Sequence, residues 1–305
     1  MKHFNGWIFF IMLTILLACN NQTNKYVPTD SPKQGTINIS VDESFKPAIQ
    51  EQIKVYEASY PGTKINAVYK PEVECFKDLT LDSTRMIIVA RGLKQDEVKF
   101  FENQLSYKPQ YDVIAFDAVA VIINSRAKDS VFTINKLSNI LSGKTNTTAI
   151  MDGTNATSTV RYLQDSILKG KPFGKNVVAA NGSQAVIEAV SKTENAVGFV
   201  GLSWVGNPFD KQQIQNLKTI HLALVECVRC PEKGFFAKPT QASVSFAQYP
   251  LARPLYFILK ENALGLGTGF CNFLSLERGQ LIFRRSFLIP GKMNFNVRKG
   301  LLNSQ

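Results

Sequence analysis

What most constrains this chain is a repeated alternation of short apolar strands with amphipathic helices. Thr36–Val41 alternates apolar and polar residues, as a half-buried strand does. After the turn Asp42-Glu43-Ser44, the residues Phe45, Ile49, Ile53, Tyr56 and Tyr60 recur at helical spacing. Ser44 can cap that helix, Pro47 is tolerated in a first turn, and Pro61-Gly62 ends it. Ile65–Tyr69 reads as the next strand and Val73–Leu81 as the next helix. Met86–Val89 is wholly apolar, the signature of a parallel strand covered on both faces. Gln95–Gln104 reads as a helix, and Tyr111–Phe116 and Val119–Asn124 as two strands separated by Asp117. Helices follow at Ile134–Leu141, Thr159–Leu168 and Gln184–Lys192. Strands are expected near Ala149, at Val177–Ala179 and at Ala196–Val200. The order defines an α/β protein with mostly parallel sheets flanked by helices.

The N-terminus sets the compartment. Lys2 precedes an apolar run, Trp7–Leu17, broken only by Thr14, and Leu16-Leu17-Ala18-Cys19 closes it. This is the pattern of an export signal, and it resembles the lipobox of bacterial lipoproteins. The resemblance implies a signal peptide over residues 1–18, cleavage before Cys19, and lipid on that cysteine. The alternative is a plain membrane anchor, but the run is shorter than the roughly 20 apolar residues a bilayer span needs. Asn20–Gln34 is polar and rich in Asn, Thr, Pro and Lys, so residues 19–34 are expected to be a flexible tether. The protein is then anchored to a membrane of the cell envelope, facing the periplasm.

A formal net charge of +11 points to an anionic surface or ligand. The export signal and the lack of a compact Lys/Arg cluster argue against nucleic acid. The chain has only two histidines, His3 in the signal and His221 in an alternating strand-like stretch, so no histidine-based nucleophile is expected. No zinc-protease, nucleophile-elbow or phosphate-loop motif occurs, and neither catalytic residues nor a metal or cofactor are expected. Cys227-Val228-Arg229-Cys230 is a lone CxxC before Pro231, read as a loop disulfide or two idle thiols. Cys75 and Cys271 are left with pairing undecided.

In such sheets ligands bind where strands end and helices begin, because helix N-termini offer free N–H groups to anions. Three such turns stand out: Asp42-Glu43-Ser44-Phe45, Ala90-Arg91-Gly92, and Asn155-Ala156-Thr157-Ser158-Thr159. Three consecutive hydroxyls at a helix start can hold a tetrahedral oxyanion; the plainer role is a cap with polar neighbours.

This order of segments resembles the solute-binding proteins of phosphate ABC transporters, within the type II periplasmic binding protein superfamily, over about residues 35–291. Thr157-Ser158-Thr159 stands where the family has a helix-starting Ser-Gly-Thr. Val41–Phe45 matches its early turn and Met86–Glu97, with Arg91, its apolar strand and acidic helix start. Tyr111–Asn124 resembles its hinge strand and Ala196–Gly201 its small-residue strand. Tyr249-Pro250-Leu251-Ala252-Arg253-Pro254-Leu255-Tyr256 resembles its Tyr-Pro-Leu segment, and Gly279-Gln280 lies in its last helix. The resemblance implies a two-lobed fold with a hinge: residues 35–116 and 243–305 in lobe one, 117–242 in lobe two. It implies ligand contacts from Ser44, Phe45, Arg91, Thr157, Ser158 and Thr159, with Asn155, Asp117, Asp152 and Arg161 as further candidates. In the family a buried carboxylate accepts the ligand's proton, and Asp117, Asp152 and Asp42 are all eligible here. Arg91 is the expected guanidinium fork; its alternative is an ion pair with Asp96 or Glu97. The chain departs from the family in placing Ser158 where a glycine lets backbone approach an anion, and in lacking an arginine in Ile150–Gly153.

The implied function is capture of phosphate or a related oxyanion by a monomer, for delivery to the permease of an ABC transporter. Two rivals are an orphan lipoprotein of the same fold, which signals to or stabilises a membrane partner without transport, and an exported hydrolase.

Overall fold

The computed structural model describes residues 30–154 and 156–292. Cys19 and Asn155, both singled out in the sequence, lie outside the described residues. In chain order the strands of the first part are β1 (Gln34–Asp42), β2 (Gly62–Lys70), β3 (Thr84–Val89) and β4 (Gln110–Asn124). Next come β5 (Val131–Phe132), β6 (Thr148–Met151), β7 (Val177–Ala179), β8 (Ala196–Gly201) and β9 (Ile220–Leu222). The last are β10 (Leu224–Glu226), β11 (Phe236–Ala237), β12 (Ala252–Leu259) and β13 (Ile289–Pro290).

The main sheet runs β2-β1-β3-β12-β4-β8-β6-β7, with β13 and β9 also pairing with β4. Each outer part is parallel, β1 with β2 and β3, and β6 with β7 and β8. The centre is antiparallel. Residues Gln110–Ala118 of β4 pair with β12, and Val119–Ile123 pair with β8. One 15-residue strand therefore serves two half-sheets, and its partner changes between Ala118 and Val119.

The sequence suggests a break at Asp117, yet the strand is continuous there. Asp117 is fully buried, and its carboxylate accepts bonds from Arg253 and from the Leu202 N–H. A buried acid with that many donors needs no turn to reach water.

Each half-sheet has its own core. Ile39, Phe45, Ile49, Tyr56, Leu255, Phe270 and Phe283 fill the first. Val121, Leu137, Leu163, Phe199 and Tyr249 fill one face of the second, and Ile122, Val186 and Val200 the other. Val244, Tyr249 and Leu251 pack in the second half, so the chain returns to the first with β12.

Local chemistry places the two junctions that matter. Asp42 ends β1 and accepts the Ser44 N–H at 3.0 Å, capping a single turn, Glu43–Phe45; the helix Lys46–Ser59 begins after it. Asp42 rather than Ser44 is thus the cap, which leaves the Ser44 hydroxyl for other partners. At the second junction Thr157 caps the helix Ser158–Ser166, its hydroxyl accepting the Val160 N–H at 3.2 Å.

Asp30–Gln34, expected within the tether, are fixed to the body. Asp30 bonds Arg85 and the Leu266 N–H, and Tyr56 donates to the Pro32 carbonyl. Cys227 and Cys230 form a disulfide, while Cys75 and Cys271 are separate buried thiols. Among the described residues no helix is long and apolar enough to cross a membrane.

Candidate functional site

Where the half-sheets meet, polar side chains converge in a place closed to solvent. Arg253 in β12 stands opposite Asp117 in β4. Its Nε and Nη2 donate to Asp117 Oδ2 at 3.0 and 2.9 Å, and its carbon centre lies 4.9 Å from the centroid of the Phe45 ring. The remaining nitrogen, Nη1, points across to the second half, 2.9 Å from Ser158 Oγ and 3.4 Å from Thr159 Oγ1. A guanidinium is suited to this double duty because its donors form a rigid planar fork. Arg253 is 1 % exposed.

The helix Ser158–Ser166 supplies the facing wall. Its first-turn N–H groups have no acceptor within the helix, and its dipole favours negative charge at that end. Thr157 Oγ1 also donates to Asp152 Oδ1 at 2.6 Å. From the first half, Ser44 Oγ lies 3.4 Å from Asp152 Oδ2, 3.5 Å from Ser158 Oγ and 3.4 Å from Thr159 Oγ1. All three distances exceed the roughly 2.7–2.8 Å of an ordinary hydroxyl bond. Gly201 backs the Ser44 turn closely: a Cβ there would stand 2.8 Å from the Ser44 carbonyl oxygen and 3.4 Å from Arg253 Nη2.

The acids of the nest are held against ionisation. Burial pushes the Asp42 carboxyl up to about 7, helped by nearby Glu72 and opposed by Arg253. Ser158 lies near enough to favour the Asp42 charge, but no group of the described residues comes within hydrogen-bond reach of its buried Oδ2. Burial also raises Asp117, against the pull of Arg253, and raises Asp152, against its bonds from Thr157 and Thr159. Burial disfavours the Arg253 charge, but Asp117, Asp42 and Asp152 more than offset that and hold its pKa above the ordinary value.

Of the residues nominated from sequence, Ser44, Phe45, Asp117, Asp152, Thr157, Ser158 and Thr159 come together here. Arg91 and Arg161 do not join the nest. Arg91 forms a two-pronged bond with Glu97, 2.7 and 2.8 Å, and stacks on Phe76. The guanidinium that reaches Ser158 and Thr159 is Arg253. Arg161 is bonded to Glu72 at 2.6 and 3.1 Å. No strand-to-helix turn marks Arg253, but an arginine inside the otherwise apolar run Leu251–Leu259 is a charge that must find a buried partner.

Two half-sheets joined through one long strand, with a buried polar nest at their meeting line, define a two-lobed periplasmic binding protein fold of type II. A family model described as the PBP superfamily domain matches residues 27–277, and the chain belongs to that superfamily. The phosphate-binding protein PstS of Pseudomonas aeruginosa is 23% identical over 261 residues, covering 77% of this chain and 76% of its own. PstS of Borreliella burgdorferi is 20% identical over 300 residues, covering 92% and 96%. Among solved structures, a candidate phosphate ABC transporter substrate-binding protein from Clostridium perfringens, with bound phosphate, aligns with a TM-score of 0.69. It is 20% identical and covers 85% of this chain and 100% of its own. An ABC-type phosphate transport receptor from Vibrio cholerae aligns with a TM-score of 0.61 at 17% identity, covering 84% and 100%.

Proposed function

We propose that this protein captures inorganic phosphate, or a closely related oxyanion, between its two lobes and hands it to the permease of an ABC transporter. The observation that carries the reading is the convergence of Arg253 Nη1 with Ser158 Oγ, Thr159 Oγ1 and Ser44 Oγ at a helix N-terminus. Hydroxyls, amide hydrogens and a guanidinium are the donors an oxyanion needs. The relatives named as phosphate-binding proteins support the same ligand class.

The charge balance narrows the ligand. Three buried acids, Asp42, Asp117 and Asp152, stand against Arg253 in the nest. Adding a fully ionised dianion there is costly unless a proton is shared. Asp42, whose carboxyl burial pushes up to about 7 and whose Oδ2 has no hydrogen-bond partner among the described residues, is suited to exchange a proton with a hydrogen phosphate. A sulfate brings no such proton. No step of this function is a reaction, and the residues of the nest act by binding.

The protein acts in the cell envelope as a monomer, anchored through lipid on Cys19. Palmitate labelling that disappears in Cys19→Ala tests the anchor. Isothermal titration of the purified protein with phosphate, sulfate and molybdate tests the ligand. Saturable binding with phosphate strongest supports the reading. No saturable binding of any of the three refutes it and leaves a lipoprotein of this fold that acts without transport.

A further inference from the structure

The nest sets one guanidinium, Arg253, against three acids, so it does not account for the basic excess of the chain. Much of that excess gathers at the outer end of the second half, where β4 ends and β6, β7 and β8 begin. No run of the sequence shows it, because the residues come from four separate segments.

Asparagine side chains bind these segments into one layer. The Asn124 amide donates to the Val190 and Ser191 carbonyls at 3.0 and 2.8 Å. The Asn176 amide donates to the Ile140 and Thr147 carbonyls at 2.9 and 2.6 Å, and the Asn195 amide to the Asn146 carbonyl at 3.1 Å. Gly174 lies against Gly143: a Cβ on Gly174 would stand 2.3 Å from the Gly143 nitrogen, and its N–H donates to the Leu141 carbonyl at 2.8 Å. The paired glycines let the two loops touch.

The layer presents lysines. Lys128 follows β4, Lys144 precedes β6, Lys175 precedes β7, and Lys192 ends the helix Ser183–Lys192 ahead of β8. Lys169 and Lys171 flank Gly170 in the turn after the helix Ser158–Ser166, where Lys169 and Gly170 take φ of 53° and 81°. All six are exposed. The acids beside them are taken: Glu194 pairs with Arg126 at 3.0 Å, Asp129 with Lys136, and Asp165 with Arg161 at 3.8 Å. Among the described residues none of the six lysines is ion-paired.

A lysine ammonium is a hydrated point charge on a flexible stem and lacks the planar fork that grips one compact anion. Six of them spread over an end face suit a diffuse array of anions rather than a single ligand. The N-terminal export pattern puts such an array within reach, the headgroups of a membrane.

We propose that the outer end of the second lobe is a membrane-contact surface for anionic lipid headgroups. Each lysine held beside an anionic leaflet raises partitioning about fivefold. The contact also fixes how the molecule lies, and this part rests on the anchor at Cys19. Asp30, the first described residue, sits at the opposite end of the protein, bonded to Arg85 and the Leu266 N–H. β4 spans both halves in 15 residues, about 45 Å at the usual rise. Cys19 precedes Asp30 by eleven residues, a reach of at most about 40 Å. With the anchor at one end and the lysines at the other, both on one membrane, the long axis lies along the surface.

The test mixes the purified protein with vesicles of phosphatidylcholine, alone or with one third phosphatidylglycerol. Acylation read by mass spectrometry is expected to slow at least about threefold at Lys144, Lys171 and Lys175 on the anionic vesicles in low salt, and not on the neutral ones. Salt at about 0.5 M is expected to restore the rate, because it screens charges beyond a few Å. Lys144→Gln/Lys171→Gln/Lys175→Gln changes only exposed side chains. It is expected to weaken the contact about hundredfold, so that Lys128 and Lys192 are acylated at the neutral-vesicle rate. Unslowed acylation on anionic vesicles overturns the proposal. Equal slowing on neutral vesicles, or full protection of Lys128 and Lys192 in the triple variant, does the same. Flotation separates the lysine contact from the anchor. A chain that floats with neutral vesicles is held through its N-terminus, and acylation then reads the lysine end alone. A chain that floats only with anionic vesicles removes the anchor and keeps the lysine contact; one that floats with neither overturns both.

Discussion

Replacing Arg253 by methionine separates the two tasks given to this side chain. In the folded protein Arg253 neutralises Asp117 and offers Nη1 to the hydroxyls of the second half. Both partners of the ion pair are essentially unexposed, so Arg253→Met leaves a lone buried carboxylate. Breaking a buried pair by removing one partner costs about 3–5 kcal/mol. The single variant is therefore expected to lose a large share of a typical stability margin of about 5–15 kcal/mol, and weak binding by it alone proves little. Arg253→Met/Asp117→Asn removes both charges and keeps an oxygen for the Leu202 N–H, which Asp117 Oδ1 accepts at 3.1 Å. Stability is expected to recover most of the loss, as neutral replacements of buried pairs commonly do. Phosphate affinity is not expected to recover. One charge-assisted bond contributes about 1.5–3 kcal/mol, which corresponds to roughly a ten- to hundredfold weaker dissociation constant. Urea unfolding and isothermal titration on the same two variants read both quantities. A stable double variant that binds phosphate as tightly as wild type refutes the role given to Arg253.

Three further outcomes follow from the same geometry. Asp42, raised to about 7 in the fold, contributes stability that is complete below its unfolded value near 4 and lost as pH rises through 7. Urea midpoints are thus expected to fall between pH 5 and 8 in wild type and to fall less in Asp42→Asn; equal slopes contradict it. Gly201→Ala sets a Cβ 2.8 Å from the Ser44 carbonyl, so at least about tenfold weaker phosphate binding is expected by titration, together with a stability loss of about 1–3 kcal/mol by urea unfolding; unchanged affinity contradicts it. Arg91→Ala is expected to leave phosphate affinity within about twofold of wild type, because its guanidinium is committed to Glu97; a large loss by titration brings Arg91 back into the site.

The contrast between Arg91 and Arg253 shows what the sequence makes legible. Strand-to-helix junctions are local, so Ser44 and the Thr157–Thr159 hydroxyls could be found from the residues within each turn. Arg91 sits in such a junction, but an acid six residues on captures it. The partner of Arg253 is 136 residues away, and the antiparallel register of β12 on β4 brings the two together. No local pattern encodes that register. Asp117 misled for the same reason: an acid between two apolar runs suggests a turn until its distant donors are known. The expected extent of the tether erred more simply. Polar composition from Asn20 to Gln34 hides the fact that Asp30 bonds a helix start more than 230 residues on, at the Leu266 N–H.

The most direct test is a crystal structure of the protein grown with phosphate. Tetrahedral density within hydrogen-bond reach of Arg253, Ser44, Ser158 and Thr159, with Asp42 beside one of its oxygens, is the expected result. Phosphate bound elsewhere, or that nest left without it at saturating concentration, contradicts the assignment.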